Sequence, residues 1–258
     1  MAGSGGKAVV YLIIGFFLGL GAIISGAKRY LLYQKIRNTP TSKVEAAAVG
    51  LAELSGTTRC DGDMRSPISG VRCGYWRIIA EYYRSGKHGG WRQFFKSDSG
   101  RVFFLEDETG RMRIDPEGAD VDIPIDRRFE GYLSGKGMFG MPHQQIDPDV
   151  MKFVGSLDQA GQARFNSYSK SNVRVSEYYI ADGDPLYVLG TVKPIEGGTS
   201  SIGYENVSVS KGSDVMYIRD TQENKFIGDL RNSVLWQVLG GAAVSGACLF
   251  LLLFIFNV

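Results

Sequence analysis

Cysteine and histidine are scarce in this chain. Among 258 residues there are three cysteines and two histidines, namely Cys60, Cys73, Cys248, His88 and His143. A disulfide-stapled scaffold needs several cysteine pairs, and a module that holds several zinc ions needs more ligands than these. Both classes are excluded, and we predict a protein without a metal ion or other cofactor.

An excess of charge of one sign is also missing. The 29 lysines and arginines nearly balance the 27 aspartates and glutamates, which leaves a formal net charge of +2. Proteins that bind nucleic acid through its phosphates usually carry a strongly basic surface. The composition therefore indicates no nucleic-acid partner.

Two long apolar runs dominate the sequence instead. Residues 8–27 carry no charge and span about 30 Å as a helix, the thickness of a bilayer core. Residues 234–256 form a second run with one glutamine and no charge. We predict two transmembrane helices, with residues 28–43 as a helical extension and linker and residues 44–230 as one domain. The alternative for the first run is a signal peptide cleaved after Ser25-Gly26-Ala27.

Both predicted membrane helices carry small residues one turn apart. The first has Gly15 and Gly19, and the second has Gly241 and Ser245. This spacing lets helix backbones approach closely in a bilayer. Packing of the two helices on each other, packing on another copy in a homo-oligomer, and no packing role all remain open.

The stretch Ser66–Arg84 predicts the central strand of a β-rich domain. A turn signal is followed by β-branched and aromatic residues without proline. Because side chains alternate along a strand, one face should place Trp76, Ile78 and Tyr82 in a core. The other face carries Arg77 and Glu81, and we expect it to be at least partly exposed to solvent.

Two further pairs of segments predict hairpins. Residues 101–105 and 111–115 flank a polar turn, and residues 173–181 and 186–192 flank Asp182-Gly183-Asp184-Pro185. The sequence Asp147-Pro148-Asp149 is typical of a helix start.

One amphipathic helix is predicted over residues 148–159, where apolar residues recur at helical spacing. The predicted fold is therefore mostly β, a small membrane-adjacent barrel or sandwich with one short helix, flanked by two transmembrane helices.

Four segments occur together in order. NTPTSKV follows the first apolar run, SPISGVRCGYWRI and FFLEDETGRMRIDPEGA lie in the middle, and VSEYYIADGDPLYVLGTV precedes the second run. Over about Ala8–Phe256 this array resembles the GIDE family, whose mitochondrial member is a membrane-anchored ubiquitin ligase that activates NF-κB. The resemblance implies the family's β-rich "beside a membrane" domain, held between two membrane helices.

Ligase activity does not carry over with the resemblance. The ligase member has a RING after its second membrane helix, and a RING needs eight Cys or His ligands around two Zn²⁺ ions. This sequence has three cysteines and two histidines, with Cys248 inside the second apolar run. We expect no ubiquitin transfer by this chain alone.

Cys73, in the motif that carries the resemblance, is the candidate nucleophile. A catalytic thiol needs a base beside it, for which His88 and His143 are the candidates. A small structural strand residue is the competing interpretation, and we prefer it. A Cys60–Cys73 disulfide would need an oxidising compartment.

Other polar and aromatic residues have both a functional and a structural interpretation. Glu81, Glu177, Asp182 and Asp184 are the candidates for a paired-carboxylate site. The interpretation that we prefer places these four residues on exposed faces and in turns. A ligand groove, less favoured than a shared core, would draw on Tyr75, Trp76, Trp91 and Phe94. The glycines at 135, 137 and 140 lack the strand and helix of a dinucleotide fingerprint.

We therefore expect a non-catalytic interaction or scaffolding module at the membrane surface, whose partners are the bilayer and another membrane or membrane-adjacent protein. One alternative is a ligase-like protein that uses a RING from another chain. Another is a module that binds a lipid or small molecule.

Charge bias predicts the orientation. Basic residues near membrane helices favour the cytoplasmic side. On the domain side lie Lys28, Arg29, Lys35, Arg37, Lys225 and Arg231, whereas Lys7 lies on the other side. The bias predicts a cytoplasmic domain. The resemblance implies the opposite, because the mitochondrial ligase's domain faces the intermembrane space, which corresponds to a periplasm.

Overall fold

The computed structural model describes residues 3–37, 41–87, 89–136, 141–195, 206–212, 215–220 and 223–256. The chain divides into two units. One unit combines Met1–Pro40 with Gln222–Val258, and the other is Thr41–Thr221. The first unit is helical and the second is mostly β.

Two long helices form the first unit, α1 over Gly3–Arg37 and α4 over Glu223–Phe256. Within them, Lys7–Leu31 and Ser233–Ile255 are long and apolar enough to cross a membrane, each with a mean hydropathy of 2.4. Apolar helices at both ends of a mostly β fold are thus confirmed. The basic segment after Ala27 continues α1, as predicted.

The second unit contains strands β1–β12 and helices α2 and α3 among its described residues. The strands are β1 Thr41–Ser42, β2 Gly50–Arg59, β3 Cys73–Arg84, β4 Gly90–Asp98, β5 Phe103–Glu106, β6 Arg111–Ile114, β7 Asp120–Asp122, β8 Arg127–Gly131, β9 Val173–Ala181, β10 Pro185–Pro194, β11 Val207–Ser210 and β12 Tyr217–Arg219. The helices are α2 Pro148–Ser156 and α3 Gln159–Ser167.

Five of the strands close into a barrel, in the order β2, β5, β6, β11, β10 and back to β2. Neighbours are antiparallel except β6 and β11, which are parallel. Numbered along the chain within the barrel, this order is 1-2-3-5-4 with strands 3 and 5 parallel. That is the connectivity of the OB-fold barrel. The predicted hairpin of residues 101–115 is confirmed as β5 and β6.

Apolar side chains fill the barrel because alternate residues of each strand point inwards. Each barrel strand contributes at least one fully buried residue to a single cluster, the barrel core, including Leu54, Leu105, Ile114, Val188 and Val209. Burying one such side chain contributes about 2 kcal/mol. The barrel interior is therefore a packed core.

A four-stranded antiparallel sheet, ordered β4-β3-β9-β8, holds the second core. Helices α2 and α3 contribute to it: Val150 and Phe165 are fully buried there, together with Ile78 of β3. The ring centroid of Phe165 lies 5.1 Å from those of Phe94 and Phe95. The helices thus cover one face of this sheet.

Strand β3 contributes to both cores. Tyr75 belongs to the barrel core, whereas Ile78 belongs to the second core. The pairing with β9 shifts between Cys73 and Tyr75, which leaves Gly74 as an extra, bulged residue. The face with Arg77 and Glu81 is partly exposed, as expected, because both residues are half-buried. Its beginning is buried, at Cys73 and Tyr75. It reaches solvent at Tyr83. Alternation alone could not show that a barrel core occupies this face.

Strands β9 and β10 both exist, but they do not form the predicted hairpin. They lie in different sheets. In the turn between them, Gly183 has φ 92° and the N–H of Ala181 donates to Asp184 Oδ2 at 2.7 Å. The N–H of Gly183 donates to the carbonyl of Thr58 at 2.9 Å, and the N–H of Thr58 donates to the carbonyl of Asp184 at 2.8 Å. These bonds to β2 redirect the chain from one sheet into the other.

Two short helices replace the one predicted. Asp147 caps α2 as expected, by accepting the N–H of Asp149 at 2.8 Å. The backbone then becomes extended at Leu157, and Asp158 caps α3 by accepting the N–H of Gly161 at 2.8 Å. The prediction missed α3 because QAGQARFNS has one large apolar residue and no helical repeat. A capping aspartate was the available signal.

Candidate functional site

The four small residues considered for helix packing meet where α1 and α4 contact each other. A Cβ atom on Gly19 would lie 2.8 Å from the carbonyl oxygen of Gly241 and 2.9 Å from the backbone nitrogen of Ser245. A Cβ atom on Gly15 would lie 2.8 Å from the Sγ of Cys248. Because backbone atoms cannot rotate away, positions 19 and 241 require glycine for this close approach.

Polar side chains also join the two helices. The hydroxyl of Ser245 donates to the carbonyl oxygen of Phe16 at 3.1 Å, and the Arg29 guanidinium donates to the hydroxyl of Ser233 at 2.6 Å. Hydrogen bonds between membrane helices stabilise their association by about 1 kcal/mol. The small-residue faces therefore form an intramolecular helix-packing site.

The three core candidates on β3 differ in burial. Ile78 is fully buried in the second core, whereas Trp76 and Tyr82 are half-buried at its edge. The ring of Tyr82 stacks on that of Tyr168 with centroids 4.3 Å apart. Trp76 packs on the second core and also lines an open cavity.

The four aromatic residues considered for a ligand groove do not share one. Tyr75 lies in the barrel core, and Trp76 and Phe94 pack against the second core. Trp91 lies under the guanidinium of Arg174, 4.3 Å from its ring centroid. They do not share a single core either, because β3 places its two faces in different clusters.

The surroundings of Cys60 and Cys73 in the β domain favour the protonated thiol over the thiolate. Cys73 is fully buried and Cys60 half-buried, and neither forms a disulfide. Burial raises the pKa of the Cys73 thiol to about 12 and that of Cys60 to about 11. A reactive cysteine needs the opposite shift. Of the two candidate bases, His88 lies outside the described residues, and His143 stacks on Tyr132 with ring centroids 4.4 Å apart.

Glu177 is a fully buried carboxylate that holds the loop before β3. It accepts hydrogen bonds from the N–H of Ile68 at 2.9 Å, from the N–H of Ser69 at 3.1 Å, and from the Ser69 hydroxyl. The expectation that Glu177 lies on an exposed face or in a turn is wrong. Local sequence could not reveal the contact, because Ser69 and Glu177 are 108 residues apart.

The other three candidate carboxylates also make structural contacts. Glu81 accepts two hydrogen bonds from the Arg174 guanidinium, at 2.6 and 2.9 Å. Asp182 accepts the N–H of Cys60 at 2.9 Å, and Asp184 caps its own turn. Across the part of the chain that the structure describes, no group of three or more His, Cys, Asp or Glu side chains could hold a metal ion.

Two further aspartates, Asp126 and Asp220, were not among the candidates predicted from the sequence. Burial raises the pKa of Asp126 and of Asp220, and the nearby charge of Asp184 adds to both shifts. Asp126 also accepts the N–H of Tyr179 at 2.8 Å. Asp126 is an exposed residue whose carboxyl is only partly shielded, and Asp220 is half-buried. No sequence motif marks either of them.

Concave surfaces are the remaining candidates. One open cavity of about 730 Å³ is lined by Gln145, Ile146, Pro148, Met151 and Lys152. A second cavity, of about 430 Å³, combines Trp76 with charged residues. Of the three glycines compared with a dinucleotide fingerprint, at positions 135, 137 and 140, the last two lie outside the described residues.

Comparison with known proteins identifies no relative. No family model matches the chain, and neither the curated proteins nor the solved structures contain a match. The resemblance to the GIDE family therefore stays a prediction that rests on the sequence segments alone.

Proposed function

We propose that this chain is a two-pass membrane protein whose β domain, of the GIDE type, is a non-catalytic interaction or scaffolding module at the membrane surface. The observation that carries the proposal is the order of the elements. The mostly β unit Thr41–Thr221 is continuous at both ends with helices apolar enough to cross a membrane. Two insertions would keep the domain beside the bilayer.

The state of the reactive side chains supports binding rather than catalysis. The Cys60 and Cys73 thiols have raised pKa values, which disfavours the nucleophilic thiolate. Glu177 is committed to holding a loop, and Glu81 pairs with Arg174. These groups serve the architecture of the domain.

Photo-cross-linking of the full chain in membranes tests the scaffold role. A cross-linking residue at the exposed positions Arg92 or Gln93 of β4 should capture the same membrane or membrane-adjacent protein. The exposed apolar position Leu18 of α1 is the control and should give lipid adducts. Recovery of a RING protein with ubiquitin transfer would favour the ligase-like alternative. No stable protein partner at either β4 position would contradict a scaffold.

We also propose that the β domain lies in the cytoplasm, because six basic residues flank the helices on the domain side against Lys7 on the other. Single cysteines replacing Glu117, which is exposed in the domain, and Val258 test the orientation in a chain whose native cysteines are serine. In intact cells an impermeant maleimide should label Val258→Cys, and Glu117→Cys should react after permeabilisation. The reverse pattern would contradict the assignment.

A further inference from the structure

The open cavity of about 430 Å³ in the β domain places an aromatic side chain beside charged groups. It is lined by Asp63, Met64, Arg65, Trp76, Ser99 and Arg101. Ligand sites typically measure roughly 300–1,000 Å³ and combine an apolar wall with a few convergent polar groups. The volume lies in this range, and Trp76 and Met64 supply an apolar wall beside four polar or charged side chains.

Trp76 provides the apolar wall, and its backbone is fixed. Its carbonyl accepts the N–H of Ser99 at 3.0 Å, and its own N–H donates to the Ser99 hydroxyl at 3.4 Å. The indole packs on the second core and remains half-exposed. Aromatic surface that is anchored on one side and open on the other suits a planar ring.

The charged groups come from two loops that flank β3 in space. The Arg65 guanidinium is held at two points, by the carbonyl of Gly70 at 3.1 Å and by the carboxylate of Asp63 at 2.9 Å. Arg101 is exposed and makes no hydrogen bond or ion pair with any described residue. With one aspartate and two arginines, the lining carries a net charge of +1.

An arginine presents several N–H groups in a fork that matches carboxylate and phosphate oxygens. Because Asp63 already pairs with Arg65, Arg101 supplies the uncompensated charge. Preorganising Arg65 lowers the entropy that binding must overcome. The cavity therefore offers an anion-binding edge beside an aromatic wall.

We propose that this cavity binds a small molecule in which a phosphate or carboxylate is attached to a planar ring. The anion pairs with Arg101 and Arg65, and the ring lies against Trp76 and Met64. The Ser99 hydroxyl is positioned to bond a polar edge of the ring. This site is independent of the scaffold role.

Titration calorimetry of the full chain in detergent tests the site with four probes: adenosine monophosphate, adenosine, inorganic phosphate and benzoate. The monophosphate should bind at least about tenfold more tightly than adenosine or phosphate alone, because only it uses both parts of the site. Comparison with benzoate separates phosphate from carboxylate recognition. A preference for either anion supports the site.

Variants locate the binding. Arg101→Gln should weaken monophosphate binding at least about tenfold and leave adenosine binding unchanged. Trp76→Leu should weaken both. Arg92→Gln removes an exposed arginine on β4 and should change neither. Because Arg101 lies outside both cores, its variant decides the question even if Trp76→Leu does not fold.

Three results would overturn the proposal. The first is no binding of any probe at about 1 mM. The second is equal affinity for adenosine and its monophosphate together with no binding of benzoate. The third is equal weakening by Arg92→Gln and Arg101→Gln, which would show non-specific attraction to surface charge.

Discussion

The carboxylate of Glu177 accepts the backbone N–H of Ile68 at 2.9 Å, across 109 residues of chain. This bond, with those from Ser69, fastens the loop before β3 onto β9. A buried carboxylate is tolerated in a protein interior only when hydrogen-bond donors satisfy it. The turn before the central strand is thus held by a distant partner.

Glu177→Ala should destabilise the β domain by about 3 kcal/mol, because it leaves buried N–H donors without an acceptor. Glu177→Gln, which keeps one acceptor oxygen, should cost less. Urea unfolding of the full chain in detergent, followed by tryptophan fluorescence, measures the difference. The exposed Glu117→Ala is the matched control and should change the unfolding free energy by less than about 0.5 kcal/mol. Similar small losses of unfolding free energy in Glu177→Ala and Glu117→Ala would contradict the role of Glu177 in holding this loop.

The contact between α1 and α4 predicts a specific cross-link. With Cys60 and Cys73 replaced by serine, a cysteine at Gly15 should form a disulfide with the native Cys248 on mild oxidation in membranes. A protease site engineered between the helices would reveal the bond as two fragments that separate only after reduction. Gly21→Cys should form no such bond, because a Cβ atom on Gly21 would have nothing within 4 Å of it.

A bulky side chain placed where α1 and α4 meet should weaken the contact between the two helices. Gly19→Ile directs its side chain at the backbone of Gly241 and Ser245 and should strongly reduce the Gly15→Cys cross-link. Gly21→Ile is the matched control with open space around it and should leave the yield unchanged. Equal yields in both variants would mean that the helices do not pack through these faces.

The raised thiol pKa predicts slow alkylation of Cys60. With a pKa of about 11 rather than the ordinary 9.0, its thiolate fraction at pH 8 is lower by about 100-fold. Iodoacetamide should therefore modify Cys60 slowly in a chain whose other cysteines are serine, and the rate should rise until about pH 11. Unfolding in urea should restore the ordinary rate. Rapid modification of Cys60 in the folded chain at neutral pH would contradict its raised pKa.

Acid should weaken the β domain through Asp107. Its burial alone would raise the pKa, but hydrogen bonds from Thr109, Val44 and Gly110 hold the pKa of this carboxyl below 3.8. A lowered folded-state pKa gives stability that is complete above the unfolded-state pKa and is lost as pH falls through the folded-state value. The unfolding free energy should therefore decrease below about pH 4.

Asp107→Asn should be less stable at pH 7 and should show a flatter decline between about pH 4 and pH 2. The comparison is with Asp61→Asn, since Asp61 is exposed. Urea unfolding at a series of pH values measures both slopes. Identical slopes for the two variants would assign the acid sensitivity to other carboxyl groups.

Features that a local pattern encodes could be predicted from the sequence. The length and apolarity of Lys7–Leu31 and Ser233–Ile255 define helices that could cross a membrane. The hairpin of β5 and β6 follows from two short alternating segments around a polar turn. The start of α2 follows from Asp147 and Pro148, because capping acts within one turn of helix.

Features that depend on contacts between distant segments became visible in the folded chain. Periodicity shows that a face of β3 can be apolar but not that a core lies on each side, so the burial of Tyr75 could not be foreseen. The turn at Gly183 joins two sheets rather than one hairpin because Thr58, far back in the chain, bonds to it. Arg65, Trp76 and Arg101 come together because folding places two loops beside one strand. Local propensities do not encode these contacts, because packing across the whole domain determines which residues meet.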